Sequence, residues 1–217
     1  MKKLKIDFFH DVLWAWCYAL SPRLRQLRKD FIEDGIELDI YHHSFALAKE
    51  KVDLSKMFGD KERAKKEILE HWKAANDNSD EKLINYELMA TRTHDYPYSM
   101  PGLIACEAAA IMGGEETHWD YFDRIQKAHL TECLDITKEE VQIMCAKDIG
   151  LDENAFRKLL NDEKTKQLVE QNLELARDWG ITGVPSLVID EKYLISGALK
   201  KESLKKQLLK IANEEML

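Results

Sequence analysis

Asp11-Val12-Leu13-Trp14-Ala15-Trp16-Cys17-Tyr18 is set, one residue on, after the apolar run that ends at Phe9. In that run Leu4-Lys5-Ile6-Asp7-Phe8 alternates apolar and polar residues with the period of a strand. From Trp16 onward the apolar positions Cys17, Leu20, Leu24, Leu27 and Phe31 recur at steps of three and four, which marks one face of a helix. The octapeptide is therefore a strand-to-helix junction with a single cysteine near the helix start. Pro22 falls inside the helix and is expected to kink it, because proline removes a donor and crowds the preceding turn. Gly35 closes the helix, and Ile36-Glu37-Leu38-Asp39-Ile40-Tyr41 alternates as a second strand.

Beyond about Lys49 the pattern turns helical and stays so to about Asn161. Lys61 to Trp72 is charged and amphipathic, and Asn76-Asp77-Asn78-Ser79-Asp80 reads as a polar loop. Pro101 precedes a helix from Leu103 to Met112 that Gly113-Gly114 ends, and Thr117 to Leu130 is a separate one. Thr137 reads as an N-cap with Glu140 at the capping-box position, and Asp152 as the cap of the next helix. Leu168, Val169, Leu173, Ala176 and Trp179 line a helix that Gly180 terminates. Leu187 to Ile189 and Tyr193 to Ile195 then form a hairpin around Asp190-Glu191-Lys192, and Leu204, Leu208 and Ile211 build a final helix.

The junction at Trp14 to Cys17, the kinked helix after it, and the stretch Gly180-Ile181-Thr182-Gly183-Val184-Pro185-Ser186-Leu187-Val188-Ile189 together resemble the DsbA family, most closely its FrnE-like cytoplasmic branch. The segments His129 to Ile136 and Glu170 to Gly197 read like their counterparts there. The resemblance spans nearly the whole chain. It implies an α/β, thioredoxin-like fold with an inserted all-helical domain: residues 1–48 and 165–217 form the thioredoxin-like part and residues 49–164 the insertion. The family usually carries a CPWC motif where this chain has Trp14-Ala15-Trp16-Cys17. The attacking-cysteine position is Trp14, and only the resolving position survives, as Cys17.

What the resemblance implies for function follows from that departure. A first cysteine at a helix N-terminus is stabilised as a thiolate by free amides and the helix dipole. Without it, the two-thiol cycle is closed and at most single-thiol chemistry at Cys17 remains. Proximity to the helix start should lower the Cys17 pKa and burial under Trp14 and Trp16 should raise it. Pro185 is implied to be cis, with Val184 offering its backbone to an extended peptide or to the cysteinyl part of glutathione. Trp14 and Trp16 are candidates for an aromatic lip around that groove or for core cover.

Three functions stand open: an oxidoreductase forming mixed disulfides through Cys17; a glutathione-dependent isomerase or transferase of the kappa-class or hydroxychromene carboxylate isomerase type, whose catalytic position is typically serine and is Trp14 here; and a peptide-binding module without turnover. The chemistry leans toward thiol-disulfide exchange, with no tightly bound cofactor and with glutathione, a protein thiol or a peptide thiol as partner. A second thiol could come from Cys106 or Cys133.

Other residues carry less. His129 and Cys133 have a spacing that could share a metal but lack a second ligand pair. His42 and His43 point to opposite faces of a strand. His10 is a candidate base toward Cys17, and Asp11 a turn cap. Cys106 and Cys145 lie among apolar helical neighbours.

Composition narrows the partners. The 217 residues are 45% hydrophobic and 33% charged, enough for a substantial core. Thirty-two basic against 40 acidic residues give a net charge of −8, which disfavours nucleic acid and anionic membrane surfaces. Asp7, His10 and Asp11 interrupt the apolar N-terminal segment, so no signal-peptide core is expected and the expected location is cytoplasmic. Four cysteines without close pairs fit a reducing compartment.

Overall fold

The computed structural model describes residues 2–214. Its elements run β1 (Lys2–His10), α1 (Ala15–Glu33), β2 (Ile36–Ser44), α2 (Asp53–Phe58), α3 (Lys61–Asn78), α4 (Tyr86–Thr91), α5 (Ser99–Leu130), α6 (Glu139–Asp148), α7 (Glu153–Leu160), α8 (Glu163–Asp178), β3 (Ser186–Ile189), β4 (Tyr193–Ser196) and α9 (Lys201–Glu214).

The four strands form one sheet in the order β2-β1-β3-β4. β1 and β2 are parallel, from Lys2 opposite Ile36 to His10 opposite Ser44, a pairing that needs the crossover helix α1 supplies. β3 runs antiparallel to β1, with Ser186 opposite Phe9, and β4 antiparallel to β3. β1 is central, so its alternation fades: from Ile6 to His10 every residue is buried. Leu4, Ile6 and Phe8 enter the main core on one face, whereas Phe9 joins Ala176, Ile181 and Val188 in a smaller cluster. The hairpin turns at Asp190 and Glu191, whose φ values are +50° and +56°. Two consecutive residues of that sign match the twist that joins tight antiparallel strands.

Helices α2–α7 occupy the chain between β2 and α8. α5 is the spine of this region, packing against α6, α7 and α8 and reaching β2 and α1. Its course bears out the expectation of two helices parted at Gly113-Gly114: the two halves of α5 meet at a kink at Gly114, whose φ of +77° and ψ of −164° only glycine takes readily. The polar stretch from Asn76 differs from its reading as a loop, since α3 continues to Asn78 before Ser79 turns. At α6 the N-cap is Lys138, without a side-chain bond. Thr137 instead gives its hydroxyl and amide to the Asp135 carboxylate, at 2.6 and 3.1 Å, so the carboxylate organises that turn. Asp152 caps α7 as the sequence predicts, accepting from the Ala155 amide.

α1 holds Pro22 within its length and is tied to the rest through Arg23, only 2% exposed. Its guanidinium donates to Asp80, to the carbonyls of Ala198 and Leu199, and to that of Asn78. A buried cation is tolerated here because its donors are so fully engaged. Among the described residues no helix is long and apolar enough to cross a membrane.

Candidate functional site

β1 delivers the chain to the strand-to-helix junction at the edge where β3 begins. The β1–β3 register ends at Phe9–Ser186, so β1 leaves the sheet toward His10 and Asp11 at the end where Val184 and Pro185 enter it. Residues from opposite ends of the sequence thus meet at one end of the sheet. The Val184–Pro185 peptide bond is cis. Ser186 locks the approach by donating its hydroxyl to the Gly183 carbonyl at 2.8 Å, and Gly197 donates its amide to the Pro185 carbonyl at 2.8 Å. Among the described residues, neither the amide nor the carbonyl of Val184 meets a hydrogen-bonding partner.

Asp11 is more than a turn cap. Its carboxylate accepts from the Leu13 amide (2.9 Å), the Leu47 amide (2.6 Å) and the Ser99 hydroxyl (2.6 Å), joining the junction to the segment after β2 and to the start of α5. Burial pushes its pKa up to about 6 against the lowering effect of these three bonds. From the far end of α5, the Gln126 side-chain amide donates to the carbonyls of Asp11, Val12 and Trp14 at 3.2, 3.4 and 3.3 Å. Gly102 lies under the same loop: a β-carbon there would stand 2.7 Å from a Val12 methyl. Ser99, Gly102 and Gln126 carry no motif, and nothing in the local sequence distinguishes them.

Trp14 is the N-cap of α1, extended in backbone and without a side-chain cap. A tryptophan has no small oxygen acceptor to offer the first-turn amides, so its carbonyl does the local work, receiving the Cys17 amide at 2.9 Å. Its ring is half-buried and meets His71 of α3 at 5.1 Å between centroids. Trp16 and Val184 are also half-buried, and all three pack against the main core.

The sequence offered Cys17 as a single-thiol nucleophile that needs an accessible thiolate. The structure places it at 0% exposure, and burial holds its pKa well above the ordinary thiol value. A bond with Asp11 works the other way without prevailing, and the Asp11 charge opposes ionisation further. The thiol is a core group whose ionisation burial opposes. No second thiol rescues it, since Cys17, Cys106, Cys133 and Cys145 are all free and buried. Cys133 points its sulfur at the Asn85 carbonyl at 3.2 Å.

His10, the candidate base, packs its ring on Phe122 at 3.9 Å and beside His118 and His42 at 5.4 and 5.5 Å. Burial, with these neighbours, holds it neutral far below the usual imidazole range. His43 turns to the other face, bonding Asp7 at 2.8 Å and Asn172 at 3.0 Å. His129 is spoken for by the Tyr96 hydroxyl at 3.0 Å. Beside the motif helix a cavity of about 560 Å³ opens under Tyr18, Pro22 and Gln26. On its walls Arg23 pairs with Asp80, Asp123 with Arg25 and Lys201 with Asp30.

A four-stranded sheet in this order, a helix opening at Trp14, a cis-proline loop at the same end of the sheet and a helical block between β2 and α8 define a DsbA-like thioredoxin-fold protein. The DSBA-like thioredoxin domain family matches residues 5–209, and the chain belongs to that family. Among solved structures it is similar to a candidate protein disulfide isomerase from Nitrosomonas europaea, with a TM-score of 0.78, 19% identity and 99% of each chain covered. It is also similar to the cytosolic disulfide reductase DsbM from Pseudomonas aeruginosa with GSH, at a TM-score of 0.71 and 18% identity over 96% of this chain and 99% of that one. Among curated proteins it is 23% identical over 188 residues to the ClpXP adapter protein SpxH of Bacillus licheniformis; the match takes in 86% of this chain and 57% of that relative's length.

Proposed function

We propose that this protein is a DsbA-family binding module that has given up thiol-disulfide turnover at its motif and holds an extended peptide along the Val184–Pro185 edge. The observation that carries this is the pairing of Trp14 at the nucleophile position with a fully buried Cys17. A thiolate there would have to form in the core, where burial opposes it. The open backbone groups of Val184 supply the usual means of adding a strand to a sheet edge, main-chain hydrogen bonding. Trp14 and Trp16, within the motif, offer amphipathic surface suited to a peptide side chain. Glutathione is the smallest partner of this kind, and a cytoplasmic peptide or protein segment the larger one. The resemblance to an adapter protein agrees with a role in holding rather than reacting.

The test is the pH-resolved alkylation rate of each cysteine in the native protein, joined to peptide capture by wild type and Cys17→Ala. The expected outcome is that Cys17 stays protected until the protein unfolds and that Cys17→Ala captures peptide as well as wild type. Alkylation of Cys17 far faster than of Cys106 and Cys145, with a pKa below the reference of about 8.5, would restore the single-thiol oxidoreductase.

A further inference from the structure

α8 is held to the sheet by more than the apolar anchors Val169 and Ala176. A line of hydrogen bonds runs from β1 through β2 and α8 to α5. Asp7 on β1 meets His43 Nε2 on β2 at 2.8 Å, His43 Nδ1 meets the Asn172 side-chain oxygen on α8 at 3.0 Å, and the Asn172 side-chain nitrogen donates to Glu107 on α5 at 2.9 Å. The Ser44 hydroxyl donates to the same Glu107 oxygen at 2.9 Å. Asp7 and Glu107 are only 2% and 6% exposed, so the line lies inside the protein where unmade bonds are costly.

The line has a direction. With the Asn172 nitrogen turned to a carboxyl group, its oxygen is the atom that faces His43. Both ring nitrogens of His43 then look at acceptors, and both bonds form together only in the imidazolium, where each nitrogen carries a hydrogen. Loss of that proton breaks the line on one side of the ring. Glu107 acts in the same sense, since a neutral acid still accepts from Ser44 and Asn172 through this oxygen, whereas its ionisation leaves a charge under α8.

We propose that the Asp7–His43–Asn172–Glu107 line is a pH-sensitive latch: with His43 and Glu107 protonated it fastens α8 to the sheet, and loss of those protons loosens α8 and the Val184–Pro185 loop that it carries. α8 ends at Asp178, and residues 179–183 alone separate it from Val184. The inference rests on the peptide-binding reading only for what the latch regulates, which is the firmness of the edge that a peptide would pair with.

The charged and titratable groups that face the line are Asp7 and Lys5 on β1, His43 on β2, and Glu107 and Glu115 on α5, with α8 supplying the neutral Asn172. Burial raises Glu107 to about 7 and the Glu115 charge adds to it, against the bonds from Ser44 and Asn172 and the His43 charge. Burial lowers His43, but its bonds to Asp7 and Asn172 and the Asp7 and Glu115 charges carry it above the ordinary imidazole value. Two groups raised in the closed state hold it closed at low pH and release it as pH climbs through their closed-state values. With Glu107 taken from 4.5 in an open state to about 7 in the closed one, opening should become about tenfold more frequent between pH 6 and pH 8, and His43 adds to that.

Amide hydrogen exchange of the full chain at pH 6 and pH 8, corrected for the intrinsic exchange rate and resolved by peptide mass, tests this. Opening of α8 should rise about tenfold or more at pH 8, while α6, which shares no group with the line, should open no more often. Glu107→Gln keeps an oxygen for Ser44 and Asn172 but cannot ionise. It should remove about tenfold of the pH effect and leave α8 better protected than in wild type at pH 8. Equal opening of α8 at the two pH values, a rise that α6 shares, or a Glu107→Gln variant as pH-sensitive as wild type overturns the proposal. No peptide is present in the measurement, so a failure of the peptide-binding reading leaves the result intact.

Discussion

Acidification from pH 7 to pH 5 should cost this protein a large part of its stability through histidines that stay neutral in the core. Burial lowers His42, His118 and His129 to about 3 each. In the unfolded chain the same rings titrate near 6.5, so between those limits the unfolded state binds more protons and stability rises with pH. The contribution is complete above about 6.5 and drains away as pH falls toward 3. Integrated from pH 7 to pH 5, each ring accounts for about 2 kcal/mol, and the three together for about 6 kcal/mol.

Two buried carboxyls act in the opposite sense. Burial raises Asp11 to about 6 and Glu107 to about 7, so the folded state takes up protons first and regains stability on acidification, by about 3 kcal/mol for the two. His43, raised by its bonds to Asp7 and Asn172 in spite of burial, acts in the same offsetting direction. His10 adds to the loss. The net expected change is about 3 kcal/mol or more against a total stability of about 5–15 kcal/mol for a typical protein. Urea unfolding followed by tryptophan fluorescence at both pH values measures it, and with a slope of about 2–3 kcal/mol/M the midpoint should fall by about 1 M or more. His118→Phe, which replaces a ring whose Nε2 has no partner, should flatten the pH dependence by about one group's share. A midpoint that holds or rises at pH 5 would overturn this account of the buried histidines.

Other expectations concern the junction. Gln126→Leu removes the donor to three carbonyls of the Asp11–Trp14 loop, and should cost about 1–3 kcal/mol and speed amide exchange at Leu13 and Trp14, read by mass spectrometry. Gly102→Ala drives a β-carbon against Val12, and overpacking of this sort should lower stability by about 1–3 kcal/mol in a urea melt. Trp14→Cys combined with Ala15→Pro rebuilds the family's thiol pair at the start of α1. Its reaction with an oxidant should consume both motif thiols and yield, by mass, a motif peptide closed by an internal disulfide to Cys17, while the wild-type motif stays unlinked.

The elements near the junction were legible because their periodicity is local. β1, α1, β2 and the β3–β4 hairpin follow from runs of alternating or three-and-four-spaced apolar residues, and the family follows from the Trp14–Cys17 and Gly180–Ile189 stretches. The errors lay where a tertiary contact overrode a local signal. The break at Gly113-Gly114 was legible, since Gly114 takes a backbone that only glycine adopts readily, whereas Asn76-Asp77-Asn78 looked like a loop and belongs to α3. Thr137 looked like a cap, but the Asp135 carboxylate captured its hydroxyl first.

That the pair of motif thiols is missing is written in the residues alone, because a tryptophan side chain at position 14 holds no sulfur whatever surrounds it. The state of the thiol that remains is set by packing. Whether Cys17 ionises depends on the competition between a helix start that favours the anion and burial that opposes it, and the amount of burial is a property of the packed core, not of the octapeptide. The same holds for Asp11, Ser99 and Gln126, which meet because both ends of α5 reach the junction.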